Sequence, residues 1–234
     1  MHGMTSSRKS WERLAHRLDG RFRLVAYDQR GHGESAGVPG PMSLERAVRD
    51  AENVAAALGE PVELLLGHSW GGAVAILAGA RLPANRIAVV DPMIRQADVA
   101  WYDEFLAELR ELFALTGDAR DAAVRTEYAS WSDRDIEGKV HAVHSMTTLP
   151  IENLRDANPP PAWDLRPTIE RYEKPLLLAF AHRGESINDD RTLDEIERVA
   201  SATVRLAFLG GGHNLHRTEF EAFAEALDSW LALV

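Results

Sequence analysis

The sequence predicts an α/β fold, with a mostly parallel sheet and helices on both of its faces. Short apolar runs alternate with helical patterns along the chain, an order typical of parallel sheets. The chain has 234 residues, and 45% of them are hydrophobic, enough for a buried core. The predicted strands are residues 22–28, 61–67, 86–91, 175–181 and 203–209, and the predicted helices are 8–18, 43–58, 70–82, 191–200 and 218–231.

The alternation of strands and helices breaks after the predicted strand that ends at Asp91. From residue 92 to residue 173 the sequence contains helical patterns and no convincing strand. Helices inserted between two parallel strands are typical of a cap over the carboxyl ends of the strands, where open α/β sheets bind ligands. The sequence therefore predicts a core formed by residues 1–91 and 174–234, and a helical cap formed by residues 92–173.

Composition excludes several classes of partner and site. The formal net charge is −10 and no cluster of Lys and Arg offsets it, which excludes a nucleic-acid partner and an anionic membrane surface. No apolar run approaches the ~20 residues of a transmembrane helix. The absence of cysteine excludes disulfides and thiolate chemistry. His141 and His144, three residues apart on a predicted helix, make only a weak metal site without a partner carboxylate or cysteine, so we expect them to line the cap or face solvent. We expect neither a metal nor a cofactor.

The most informative segment is residues 67–71, which read Gly-His-Ser-Trp-Gly between a predicted strand and a helix of small residues. This is the context in which a G-x-S-x-G motif forms a nucleophile elbow. The serine is then held in a strained backbone conformation, and side chains two residues on either side would collide with the strand and the helix. Ser69 is therefore the candidate nucleophile.

A second match to G-x-S-x-G lies at residues 33–37, centred on Ser35. It follows the predicted strand 22–28 only after several residues, and it runs into Pro39 and Pro41, which prevent a helix from starting at the serine. The context thus favours Ser69 over Ser35 as the nucleophile.

Four motifs in this order resemble those of the α/β-hydrolase superfamily, specifically its cap-bearing, esterase-like members. They are the His-Gly pair at residues 2–3, the Asp-Gln-Arg-Gly-His-Gly-Glu-Ser loop at 28–35, the elbow at Ser69 and the Gly-Gly-His-Asn loop at 211–214. The resemblance covers nearly the whole chain. It implies a serine hydrolase of the carboxylesterase type that acts on a small-molecule ester through an acyl-serine intermediate and a Ser-His-acid triad.

The resemblance also implies the partners of Ser69. His213 follows a predicted strand on a glycine-rich turn and is the candidate general base. In the family the acid usually follows the strand after the cap and is commonly aspartate, whereas this sequence offers Glu185 there. Glu185 is the favoured acid, Asp91 is the main alternative, and the pair at residues 189–190 comes third.

The oxyanion hole of such an enzyme uses two backbone N–H groups. By resemblance these are the N–H of Trp70, which follows the nucleophile, and the N–H of Met4, which follows the His-Gly pair.

In the resembled family an apolar strand leads into the His-Gly pair, and two more strands usually precede it. Here Met1 stands directly before the pair, so we expect an N-terminal truncation; an unusual sheet and a partner chain are the alternatives. The start lacks the pattern of a signal peptide, and the expected location is the cytoplasm.

Two classes of function stay open at this stage. Amidases or iminopeptidases, lactonases and hydrolases of carbon-carbon bonds share the same site as esterases, and the sequence does not identify the substrate. The other class is a ligand-binding protein without catalysis, because a fold alone does not guarantee chemistry. The sequence leaves the oligomeric state open.

Overall fold

The computed structural model describes residues 1–96, 99–159 and 162–234. Its sheet has four strands in the order β1-β2-β3-β4, and every neighbouring pair is parallel. The strands are β1 Val62–His68, β2 Ala84–Val90, β3 Leu176–Ala181 and β4 Val204–Leu209. The predicted α/β class with a parallel sheet is confirmed.

The predicted helices 43–58, 70–82 and 191–200 are present with small shifts at their ends, the predicted helix 8–18 begins with a 3₁₀ turn, Arg8–Trp11, and the predicted helix 218–231 is interrupted at Glu219. The helices of the described residues are α1 Glu12–Leu18, α2 Leu44–Leu58, α3 Trp70–Arg81, α4 Val99–Ala114, α5 Asp118–Glu127, α6 Asp133–His144, α7 Leu149–Ala157, α8 Arg166–Glu170, α9 Asp190–Val199, α10 Leu215–Thr218 and α11 Phe220–Leu231. None of those that the structure describes is both long enough and apolar enough to cross a membrane.

The chain divides into two compact units. The first contains Met1, Leu44–Gln96 and Trp163–Val234, and the second contains His2–Ser43 and Ala97–Ala162. The predicted core of residues 1–91 and 174–234 and the predicted cap of residues 92–173 stay a prediction. Residues 97–98 and 160–161 of that cap lie outside the described part of the chain.

The first unit is built around the sheet. All six residues of β3 are buried, as are Ile87–Val90 at the end of β2, because a parallel sheet is covered on both faces. Since the strands are parallel, their carboxyl ends meet at one edge. Ser69 follows β1, Asp91 follows β2, and the loops after β3 and β4 begin at the same edge.

Residues 22–28, predicted as a strand, form no strand in the structure. A strand needs a ladder of backbone hydrogen bonds to a neighbour. Around the end of this segment the hydrogen bonds involve side chains instead: the Asp28 side chain accepts from the Arg8 N–H at 2.7 Å, and the N–H of the next residue, Gln29, donates to His2 Nε2 at 2.9 Å. The prediction was wrong because apolar alternation alone does not supply a ladder partner.

The second unit has an apolar cluster of its own, formed where α5 packs against α6. Trp131 lies in this cluster, and the Tyr128 ring packs against it at a tilt of 37°, with ring centroids 4.2 Å apart. The buried aliphatic members of the cluster are Val124, Ile136, Val140 and Val143.

Candidate active site

Ser69 has the strained backbone of a nucleophile elbow. Its φ is 55° and its ψ is −122°, and Asp91 is the only other non-glycine residue with a positive φ in the described part of the chain. The Ser69 N–H donates to Val90 O at 3.0 Å, and the Met93 N–H donates to Ser69 O at 3.1 Å. Such a conformation costs about 1 to 3 kcal/mol and persists only where its surroundings hold it in place.

The glycines around Ser69 are required by close contacts. A Cβ at Gly67 would lie 2.3 Å from the carbonyl oxygen of Gly71, and a Cβ at Gly72 would lie 2.7 Å from Pro92 Cβ. Both distances are far below van der Waals contact, so the turn from β1 into α3 closes only with glycine at these positions.

Ser35 lies in a different kind of segment. It ends a three-residue 3₁₀ turn, Gly33–Ser35, and Gly37 beyond it has open space where a Cβ would stand. The tight position is Gly33, where a Cβ would lie 2.3 Å from the carboxylate carbon of Asp28. The glycine here makes room for a carboxylate that holds the loop together, since the Asp28 carboxylate also accepts from the Glu34 N–H at 3.1 Å.

His213 meets Asp91. Its Nδ1 lies 2.7 Å from Asp91 Oδ2, and the Asp91 side chain is fully buried. The same carboxylate accepts hydrogen bonds from Ser186 Oγ at 2.5 Å and from the Ile187 N–H at 2.9 Å. A carboxylate accepts and cannot donate, so His213 carries its proton on Nδ1, and Nε2 is the nitrogen with a free lone pair.

Of the two main candidate acids, Asp91 is the one within hydrogen-bond distance of His213. Glu185 is exposed at a turn, and its Oε2 accepts from the Gly212 N–H at 3.3 Å. The loop after β3 contributes Ser186 as a donor to the carboxylate of Asp91. The structure thus does not bring Glu185 to the imidazole, because the loop turns back at Glu185, whose N–H donates to His182 O at 2.9 Å.

Ser69 and Asp91 follow paired strands. His68 is aligned with Val90 in the ladder between β1 and β2, so the two candidate residues come one position later on each strand. His68 in turn contacts the loop that carries His213: its Nε2 lies 3.0 Å from the carbonyl oxygen of His213. The elbow, the carboxylate and the imidazole therefore belong to one contact network at the carboxyl edge of the sheet.

Two residues of this network were missed by sequence reasoning. Ser186 adjoins Glu185, the favoured acid, but nothing in the sequence indicates that its hydroxyl would meet the carboxylate of Asp91. His68 is part of the Gly-His-Ser-Trp-Gly motif, but the motif gives it no role. Contacts of this kind depend on the register of two strands and the path of a loop, which the sequence does not encode in a readable pattern.

The two predicted oxyanion donors lie in different units. Trp70 is the first residue of α3, and an amide in the first turn of a helix has no acceptor within the helix. Met4 belongs to the second unit, where its carbonyl oxygen contacts His32 Nε2 and the Ser6 N–H donates to Gly3 O at 3.2 Å. The pairing of these two donors stays a prediction.

No group of three or more His, Cys, Asp or Glu side chains in the described residues is arranged to hold a metal ion. Of the histidine pair at residues 141 and 144, His144 has a carboxylate partner: its Nε2 lies 2.5 Å from Asp121 Oδ1.

Comparison with known proteins identifies relatives over nearly the whole chain. A family model described as the alpha/beta hydrolase family matches residues 1–226. The chain is 28% identical to N-formylmaleamate deformylase of Pseudomonas putida over 98% of its length, which covers 86% of that protein.

Solved structures of the same fold include hydrolases. E-2-(acetamidomethylene)succinate hydrolase superposes with a TM-score of 0.79 at 18% identity and covers 99% of this chain and 89% of its own. The enol-lactonase of Burkholderia xenovorans LB400 superposes with a TM-score of 0.77 at 18% identity, with the same coverage. At these identities the likeness establishes the fold alone.

Proposed function

This chain belongs to the alpha/beta hydrolase family, and from that premise we propose that it is a serine hydrolase that cleaves a carboxylic ester of a small or medium-sized organic substrate. The observation that carries the proposal is the 2.7 Å contact between His213 Nδ1 and the buried Asp91 carboxylate, beside the strained Ser69 turn. Nucleophile, base and orienting acid are the three roles that acyl transfer to a serine requires.

In the proposed reaction His213 Nε2 takes the proton of Ser69 Oγ while Oγ attacks the carbonyl carbon of the ester. The C–O bond of the leaving alcohol then breaks, and the imidazolium gives its proton to the alkoxide. Water attacks the acyl-serine with the same imidazole as its base, which releases the acid and restores the hydroxyl. The oxyanion formed in each step is assigned to the N–H groups of Trp70 and Met4, and each such donor is worth about 100- to 1000-fold in rate. The reaction needs no cofactor.

We assign the triad acid to Asp91 in place of Glu185. The role requires a fixed carboxylate that accepts the Nδ1 proton and stabilises the imidazolium. The Asp91 carboxylate is buried, and Ser186 and Ile187 fix its orientation through hydrogen bonds. An exposed carboxylate such as that of Glu185 stabilises a neighbouring charge less, because water screens it.

A second candidate reaction is the hydrolysis of an N-acyl amide. The relative that supports it is N-formylmaleamate deformylase, because the match extends over 98% of this chain. The two reactions differ in the leaving group, an amine in one and an alcohol in the other. The same residues serve both, because in each the His213 imidazolium gives its proton to the departing group.

The test is labelling of the purified protein with a fluorophosphonate probe, together with the hydrolysis of p-nitrophenyl acetate and of an N-formyl amide. Labelling that is present in the wild type and lost in Ser69→Ala is the expected result, with Ser35→Ala as the matched control. Absence of labelling and of both hydrolyses would identify a non-catalytic member of the family. The ratio of the two hydrolysis rates decides between ester and amide.

A further inference from the structure

His68 precedes the nucleophile and faces the loop of the catalytic base. Its Nε2 lies 3.0 Å from the carbonyl oxygen of His213, and the two rings are 4.8 Å apart between centroids, at an interplanar angle of 38°. The ring of His216 packs against the same imidazole at 4.3 Å. His68 is buried, so these contacts are shielded from water.

The contact determines the protonation state of His68. A carbonyl oxygen only accepts, so His68 donates from Nε2. In the described residues no hydrogen-bond partner lies at Nδ1, which is also buried. A proton on Nδ1 would be a buried donor without an acceptor, and the ring is therefore held as the neutral Nε2–H tautomer.

Burial agrees with this assignment, since it lowers the pKa of the His68 imidazole well below its ordinary value. The neighbouring groups that add to the lowering are His216, His213 and Arg217. His68 thus stays neutral while His213 gains and loses a proton, and it does not compete for that proton.

The loop that carries His213 needs an external constraint. Three glycines precede the histidine, and two of them have positive φ, 86° at Gly211 and 66° at Gly212. Glycine allows the backbone more conformations than any other residue, so a loop with three glycines does not by itself fix the position of His213. That position depends on the contacts that the loop makes. Asp91 fixes the imidazole at Nδ1, and His68 fixes the backbone carbonyl of the same residue.

We propose that His68 is a positioning residue, which ties the backbone of the catalytic base to the strand that carries the nucleophile. The inference rests on the proposed function. A residue that only filled space here would be apolar, because phenylalanine or leucine would avoid the buried, unpaired Nδ1. Histidine supplies a hydrogen-bond donor on the residue next to Ser69. The backbone of His213 is thereby linked to the elbow, so that the two shift together and the distance between nucleophile and base is kept.

The experiment compares His68→Phe, which keeps a ring and removes the donor, with His68→Gln, which presents an amide N–H at a similar reach. We expect His68→Phe to lower kcat for p-nitrophenyl acetate by about 10- to 100-fold with KM nearly unchanged, since a displacement near 1 Å in an active site costs on the order of 100-fold. His68→Gln should recover most of that loss. The control is Ile196→Val, a small change at a buried position of α9 that should leave kcat unchanged.

Two readouts separate positioning from a loss of folding. In a double-mutant cycle with Asp91→Asn, the loss from His68→Phe should shrink, because both changes act through the placement of His213. The second readout is the NMR resonance of the His213 Nδ1 proton, which needs no turnover. It should be present in wild type and His68→Gln, and weakened or lost in His68→Phe.

Full additivity in the cycle, or an unchanged Nδ1 resonance in a folded His68→Phe protein, would overturn the proposal. Should His68→Phe not fold, a His68→Gln protein with the kcat and the resonance of wild type supports the proposal, and one that has lost both contradicts it. A wild-type protein that hydrolyses neither substrate would refute the proposed function instead, and the NMR comparison would still decide the role of His68.

Discussion

The chain contains two G-x-S-x-G segments, and the structure treats them in opposite ways. At Ser69 the backbone is strained with φ 55°, the residue is buried, and a twelve-residue helix begins at the next position. At Ser35 the serine ends a three-residue 3₁₀ turn and is partly exposed. The same five-letter pattern thus forms an elbow in one place and a carboxylate-centred loop in the other.

The difference lies in what each glycine contacts. Gly67 lies against the backbone of α3, and Gly72, which directly follows the motif, lies against the ring of Pro92, so these glycines let a strand and a helix come together around the serine. Gly33 admits the Asp28 carboxylate, and Gly37 meets open space. A motif is therefore informative only with the elements on both sides of it, and each of the following predictions tests this contrast.

The largest expected effect is the difference in activity between alanine substitutions at the two serines. Ser69→Ala should abolish hydrolysis of p-nitrophenyl acetate, a loss of up to about a million-fold in kcat. Ser35→Ala should retain most of the activity, because its hydroxyl lies outside the proposed triad. Steady-state rates, with circular dichroism to confirm folding, give the comparison. Equal losses in two folded variants would contradict the assignment of Ser69.

The second prediction concerns the carboxylates that accompany the elbow. Asp91→Asn should lower kcat by about 10,000-fold, because an amide at this position favours the wrong tautomer of His213. Glu185→Gln should cost far less, since its contact is with the Gly212 N–H. This reverses the order expected from the sequence.

Rates of both carboxylate variants measured at the same pH decide the order. If Glu185→Gln lost activity while Asp91→Asn stayed active, Glu185 in the loop after β3 would be the triad acid. Ser186→Ala is an intermediate case, because it removes one donor to the Asp91 carboxylate and leaves that of Ile187 in place.

The third prediction compares one glycine of each motif, the first of the Ser69 motif and the last of the Ser35 motif. Gly67→Ala should lower the free energy of unfolding by about 3 kcal/mol, because its Cβ would lie 2.3 Å from the carbonyl oxygen of Gly71. Gly37→Ala should change it by less than about 0.5 kcal/mol, since nothing lies within 4 Å of the added atom. Urea unfolding of both variants gives the values. A tolerated alanine at position 67 would mean that the turn from β1 into α3 is looser than described.

The elements that could be predicted are those with local signals. The four strands of the sheet and the helices α2, α3 and α9 were expected within a few residues, because buried apolar runs and helical periodicity are local properties of the sequence. The elbow was expected for the same reason, since its strand, glycines and helix are contiguous.

The long-range parts could not be predicted in this way. Residues 22–28 have the composition of a strand, but a ladder depends on a neighbour that composition does not identify. Asp91 and Glu185 each follow a strand, and the sequence does not show which loop turns toward His213. The outcome depends on a tight turn at Glu185 and a positive φ of 37° at Asp91, which only the folded chain determines.

The smallest expected effect is on how the free energy of unfolding depends on pH. Here the comparison is between a histidine at each of the two motifs. A buried histidine accompanies each of them: His68 lies within the first motif, and His32 directly precedes the second. Burial lowers the pKa of both imidazoles, and it lowers that of His68 well below the ordinary value. For His32, contacts with the carbonyl oxygens of Met4 and Arg30 oppose the lowering, because they favour the protonated ring.

A histidine whose pKa is lowered by folding binds its proton more readily in the unfolded chain. Its contribution to stability is fully present above the unfolded pKa of about 6.5 and is lost as the pH falls toward the folded value, by at most about 1.4 kcal/mol per pH unit for each group. His68→Phe should therefore flatten the fall in unfolding free energy between pH 6.5 and pH 5 more than His32→Phe does. Urea unfolding across pH 5 to 8 measures these slopes, and comparing slopes removes the constant cost of each substitution. A His68→Phe slope equal to that of wild type would show that the imidazole beside the nucleophile is protonated in the folded protein, and would contradict its assignment as a neutral donor.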